Sequence, residues 1–127
     1  MKFKYTILYV KDVRETLDFY VSAFGLHQKM LHESGDYGEL DTGSTVLAFS
    51  SLELMESLGK SPQKARPDAP VFEIAFETDN VESALERAIQ AGAKPVQPAT
   101  QMPWGQTIGY VSDQNGFLIE ICTKVSP

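Results

Sequence analysis

Val71-Phe72-Glu73-Ile74-Ala75-Phe76-Glu77-Thr78-Asp79-Asn80-Val81-Glu82-Ser83-Ala84-Leu85-Glu86-Arg87-Ala88-Ile89 has a second copy earlier in the chain. Within it, bulky apolar Phe72, Ile74 and Phe76 alternate with Glu73, Ala75 and Glu77, the two-residue period of a strand. Asn80 stands at a helix N-cap, Val81, Leu85, Ala88 and Ile89 follow at helical spacing, and Gly92 ends the helix. The same grammar opens the chain. Phe3 to Val10 reads as a strand, and Asp12 takes the cap position with Glu15 three residues on, a capping-box-like start. Val13, Leu17, Tyr20 and Val21 then match Val81, Leu85, Ala88 and Ile89 at a constant offset, and the first helix runs through Phe24 to stop at Gly25.

Each strand–helix pair is followed by three more strands. In the first half these are Leu26 to Leu31, Tyr37 to Leu40 and Thr45 to Phe49, and in the second Lys94 to Gln97, Thr107 to Val111 and Phe117 to Thr123. Ser51 to Gly59 is predicted as a short helix with Leu52, Met55 and Leu58 inward. Residues 60–70 hold three prolines, two lysines and an arginine with almost no apolar residue, so they read as a linker. The expected organisation is one domain over residues 1–127, with a first βαβββ module over 1–59 and a second over 71–127. The fold class is α+β: tandem βαβββ modules forming a cupped mixed sheet around a cavity, with the helices outside.

At 127 residues and 43% hydrophobic, the chain is long enough to bury roughly two-thirds of its unfolded surface. No apolar run approaches the roughly 18 residues of a membrane span, and the opening residues lack a signal-peptide core, so a cytoplasmic protein that does not meet a membrane is expected. The single cysteine, Cys122, suits a reducing compartment. A formal charge of −6 argues against nucleic acid, which draws on clustered Lys and Arg, and fits cationic or neutral small molecules better. The same charge also serves simply to keep a protein soluble.

Alternation assigns the faces. Phe72, Ile74 and Phe76, with Phe117, Ile119 and Ile121, should meet the second helix, which leaves Glu73, Leu118, Glu120 and Cys122 on the opposite, open face. The repeat carries this to Tyr5, Ile7, Tyr9, Val46, Ala48 and Ser50. Four equivalent positions therefore stand out: Tyr5, Ala48, Glu73 and Glu120. A carboxylate such as Glu120 in an apolar strand is costly unless a hydrogen bond, metal or ligand compensates it.

The doubled βαβββ order, Tyr5-Thr6-Ile7-Leu8-Tyr9-Val10-Lys11-Asp12-Val13 with Leu17-Asp18-Phe19-Tyr20 and Phe24-Gly25-Leu26, and Pro103-Trp104-Gly105-Gln106 followed by Asp113 to Ile121, resemble the vicinal oxygen chelate superfamily. That group holds glyoxalases, bleomycin-resistance proteins and dioxygenases, and the likeness covers essentially the whole chain. It implies that metal-dependent members carry His or Gln, Glu, His and Glu at the four positions. Here only Glu120 matches. Ala48 has no donor, and the phenol of Tyr5 is a poor ligand near neutral pH. Glu73 and Glu120 fall short of the three or four ligands of a zinc or nickel site, leaving at most a weakly held divalent ion, so no cofactor is expected.

The expected ligand contacts are Tyr5, Tyr9, Ala48, Glu73, Trp104 and Glu120. Trp104, in a loop resembling the one that borders the cleft in bleomycin-resistance-like members, either stacks on a ligand or plugs the cavity. Glu73 and Glu120 are also catalytic candidates, because two close carboxylates can share a proton and act as acid and base. His27 and His32 read as surface or rim residues. The function expected is a glyoxalase/bleomycin-resistance-like binding protein for a cationic or aromatic compound, as a homodimer. The alternative is a lactoylglutathione-lyase-like, metal-dependent lyase or isomerase acting on a small carbonyl compound. The same fold can also be kept as a plain interaction module.

Overall fold

The computed structural model describes residues 1–125. Two compact units divide inside the linker, the first spanning Met1–Lys64 and the second beginning at Ala65. In the first, strand β1 (Tyr5–Val10) leads into helix α1 (Val13–Phe24), followed by β2 (His27–Leu31), β3 (Tyr37–Asp41), β4 (Val46–Ser51) and the short helix α2 (Leu52–Ser57). In the second, β5 (Glu73–Glu77) and α3 (Val81–Gln90) precede β6 (Lys94–Gln101), β7 (Thr107–Ser112) and β8 (Leu118–Cys122).

Each unit forms its own four-stranded mixed sheet, in the orders β1-β4-β3-β2 and β5-β8-β7-β6. The strand that opens each unit pairs parallel to the one that closes its sheet, and the remaining pairs are antiparallel. A parallel pair needs a crossover, and the helix after the first strand supplies it. The α+β tandem of βαβββ units expected from the repeat is therefore the architecture observed.

The helix boundaries follow from their caps. The Asp12 carboxylate accepts the Glu15 backbone N–H at 3.0 Å, and Gly25, at a φ of 69°, ends α1 by donating to the Val21 carbonyl at 3.1 Å. In the second unit the Asn80 side chain accepts the Ser83 N–H at 3.1 Å. Helix α1 buries Val13, Leu17 and Tyr20, and α3 buries Val81, Leu85 and Ala88, the equivalent stripe. Under α3 lie Phe117, Ile119 and Ile121, all at or below 9% exposure.

Two glycines set how closely helix and sheet approach. A Cβ on Gly38 would lie 2.6 Å from Leu17 Cδ1, and one on Gly109 would lie closer still to Leu85 Cδ1. Gly38 pairs with Phe49 and Gly109 with Ile121, so the two glycines occupy matching places, each beneath the matching helix leucine. Sequence reading passed over both.

Other departures from expectation have local causes. The opening strands are shorter than read, and Phe3 and Phe72 are 71% and 47% exposed. Phe72 still meets Phe117 edge-on, with ring centroids 6.0 Å apart. Leu58 faces solvent at 63% exposure, because α2 ends at Ser57 and only Met55 is buried from it. Strand β6 continues through Pro95 and Pro98 to Gln101, with register shifts at both prolines. It lies at the sheet's edge, where missing N–H donors cost little.

Filling either glycine should force helix and sheet apart. Gly109→Val and Gly38→Val are each expected to lose about 1–3 kcal/mol in urea denaturation. Leu85→Ala should recover part of the loss in the Gly109→Val background, because the two changes meet at one contact. Additive losses would show that the glycine is not a packing site.

Candidate functional site

In the second unit, the face away from α3 brings together two of the predicted residues, Glu73 and Glu120. Register places Glu120 beside Ala75 on one side and Tyr110 on the other, while Glu73 lies one pair along from Ala75 on the same face. The Tyr110 hydroxyl donates to Glu73 Oε2 at 3.1 Å. Burial pushes the Glu120 carboxyl above its usual range, and a hydrogen bond to Glu73 and that residue's negative charge push it further. Two adjacent carboxylates do not both ionise cheaply, which adds to the effect of burial at Glu120. Burial, the charges of Glu120 and Glu73, and the bond to Glu73 raise the Tyr110 phenol to about 12. Among the described residues no lysine or arginine forms an ion pair with Glu73 or Glu120.

Cys122 continues this face. Its thiol is raised by burial and then by Glu120 and Glu77, while a hydrogen bond from Gln106 partly offsets them. It is a poorly ionised thiol rather than a nucleophile. Gln106 links the strand end to the Trp104 loop: it accepts the Trp104 indole N–H at 2.9 Å and donates to the Thr123 carbonyl at 2.8 Å. The loop closes tightly through Met102 and Gly105, the glycine at a φ of 95°. Trp104 itself is 59% exposed and stands out on a pinned loop.

The first unit's open face is built differently. Tyr5 is 46% exposed and Tyr9 is half-buried. Each ring already has a cation nearby: Lys4 Nζ lies 5.9 Å from the Tyr5 centroid, and Lys60 Nζ lies 5.5 Å from that of Tyr9 and 3.3 Å from its hydroxyl. Ala48 is fully buried, between Ile7 and Glu39 in the register. Glu39 was not expected. It accepts from the Tyr37 hydroxyl at 2.8 Å and has Lys29 at 3.9 Å. Burial, then Glu39, drive the Tyr37 phenol well above its ordinary range. His27 and His32 are both exposed, and His32 Nδ1 lies 2.8 Å from Ser34 Oγ in a local turn.

Sequence reasoning missed Tyr110, Glu39 and Gln106. Tyr110 looks in sequence like one more core aromatic of a strand, although alternation from Ile108 and the register of the last strand set it beside Glu120. A divalent metal of the kind the resemblance implies does not fit the side chains present. Ala48 offers no donor, burial and Glu73 disfavour the ionised form of Glu120, and among the described residues no group of three or more His, Cys, Asp or Glu is placed to hold an ion.

A lactoylglutathione lyase of Neisseria meningitidis is 31% identical to this chain, with 99% of this chain and 93% of that protein covered. The uncharacterised protein YraH of Bacillus subtilis is 26% identical over 95% of this chain and 97% of its own length. The crystal structure of a glyoxalase-related enzyme from Fulvimarina pelagi shares the fold at a TM-score of 0.84 and 23% identity, covering 98% of this chain and 88% of that one. The family model for the Glyoxalase/Bleomycin resistance protein/Dioxygenase superfamily matches residues 2–121. The chain therefore belongs to the Glyoxalase/Bleomycin resistance protein/Dioxygenase superfamily.

Proposed function

We propose that the protein is a small-molecule-binding member of its superfamily, in which the open face of the second sheet holds a cationic or aromatic compound without a full divalent-metal site. The observation that carries this reading is the Glu73–Glu120 pair, two neighbouring carboxyl groups on a solvent-facing surface, with Glu120 pushed above its usual range by burial and by Glu73 and with no ion pair to either among the described residues. A ligand cation would relieve their repulsion and free the proton, while Tyr110 holds Glu73 in place and Trp104 offers an exposed ring. Tyr5 and Tyr9 are weaker contacts, since Lys4 and Lys60 already stand by their rings, and Ala48 contributes only a small, buried surface.

A second reading is supported by the 31% identical lactoylglutathione lyase: a lyase or isomerase acting on a small carbonyl compound, with Glu73 and Glu120 as base and metal ligand. A carboxyl pair with one proton suits proton transfer, but such chemistry also calls for an electrophile for the developing oxyanion. The donor set supports the binding reading better.

Superfamily members commonly bind small molecules and form dimers. Among the described residues no helix is long and apolar enough to cross a membrane. The proposal extends to a cytoplasmic homodimer that meets neither nucleic acid nor membrane. Its net charge of −6 supports the exclusion of nucleic acid.

In calorimetry, an aromatic amine such as naphthylmethylamine should bind Glu73→Gln and Glu120→Gln about threefold or more weakly than the parent protein. Unchanged affinity in both variants would remove the carboxyl pair from the site. Titration with zinc or nickel should give no stoichiometric site. A stoichiometric site lost in Glu120→Gln would favour the lyase.

The carboxyl pair also sets a pH dependence. Folded Glu120 keeps its proton above the ordinary carboxylate range, where the unfolded chain has released it, so its contribution to stability is lost as pH rises through the raised range. Urea denaturation between about pH 4 and about pH 8 should show a smaller fall with pH in Glu120→Gln than in the parent. Equal slopes would contradict the shared proton.

A further inference from the structure

A groove lies in the second unit between α3 and β6, and it meets the face that carries Glu73 and Glu120 at Tyr110. Helix α3 forms one wall and the edge strand β6 the other, enclosing a volume of about 600 Å³. That size falls within the range of sites for small organic ligands. The apolar lining includes Leu85, which is buried, and Ile89 and Val96, which are 41% and 51% exposed. Two apolar side chains left this open beside each other lose the benefit of burial until something covers them.

The helix wall also bears Glu82 and Glu86, one turn apart on the same side. Both are exposed, and among the described residues neither forms an ion pair. An apolar trough with two uncompensated negative charges on one wall complements an apolar body carrying a positive charge. The other wall rules out the commonest macromolecular occupant of a sheet edge. Pro95 and Pro98 lack N–H groups, and the register shifts at both, so β6 is a poor template for an added strand.

We propose that the groove between α3 and β6 is a second ligand site, taking an amphiphilic organic cation whose apolar body lies on Leu85, Ile89 and Val96 and whose ammonium group meets Glu82 and Glu86. No covalent step is involved. The groove borders the carboxyl pair through Tyr110, but its charge comes from Glu82 and Glu86 rather than from Glu73 and Glu120, so the two proposals can fail separately.

The test uses the full chain, with naphthylmethylamine and its neutral counterpart naphthylmethanol as probes, followed by methyl-resolved NMR. The amine should shift the Ile89 and Val96 methyl signals saturably and bind about threefold or more tightly than the alcohol at these methyls. Replacing both Glu82 and Glu86 by Gln should abolish that preference, whereas Val96→Asn should weaken both probes alike. Glu120→Gln should leave the groove signals responding as before. Equal binding of amine and alcohol, no saturable shift at Ile89 and Val96, or loss of the groove response in Glu120→Gln would each overturn the proposal. All the substituted groove positions are exposed, and circular dichroism confirms that each variant remains folded before it is compared.

Discussion

Leu17 lies over Gly38 and Leu85 over Gly109, and these two contacts determine which side of each sheet is covered. A side chain at either glycine would hold the helix away from the strands and open space above Ile119, Ile121 and Phe49, which are now fully buried or nearly so. Close packing of this kind is worth more than the area it removes from water, because each atom of the leucine finds partners. With one face of each sheet sealed by a helix, every polar residue at the alternate positions is sent to the other face. Glu73, Tyr110 and Glu120 are neighbours for that reason, although they come from three different strands.

The same duplication produces two unlike faces. In the first unit, Glu39 is paired with Tyr37 and Lys29, and lysines stand beside Tyr5 and Tyr9. Its charges are answered internally. In the second unit the equivalent surface has Tyr110 in the register place of Glu39 and a carboxylate, Glu120, in the register place of Ala48. There a phenol and a second carboxylate surround Glu120, and no cation pairs with it among the described residues. Negative charge is thus without a paired cation among the described residues in one half and neutralised in the other. A repeat preserves the backbone far better than it preserves the electrostatics written on it.

Much of this was legible in the residues. The offset linking Val13, Leu17 and Tyr20 to Val81, Leu85 and Ala88, together with Asp12 and Asn80 as caps, carried the element order, since helical spacing and capping are local properties. Alternation carried Glu120 and Glu73 to the correct side. What stayed hidden depended on contacts between distant segments. Gly38 and Gly109 look like ordinary small residues in strands until the helix is seen above them. Tyr110 reads as one more strand aromatic until register places it against Glu120. Lys60, in a segment read as a linker, reaches back to the ring of Tyr9, which no local pattern announces. Leu58 faces out because α2 ends at Ser57, one residue short of where the helical period would turn it inward.

The central claim is that Glu73 and Glu120 share a proton on an open surface, ready to give it up to a ligand cation. Carboxyl-carbon NMR, following both glutamates through a pH titration in the parent protein and in Glu73→Gln, tests it most directly. The account predicts that Glu120 titrates above the ordinary carboxylate range in the parent and shifts towards that range when Glu73 loses its charge. A Glu120 carboxyl that titrates as an ordinary surface glutamate, and is indifferent to the substitution at Glu73, would contradict it.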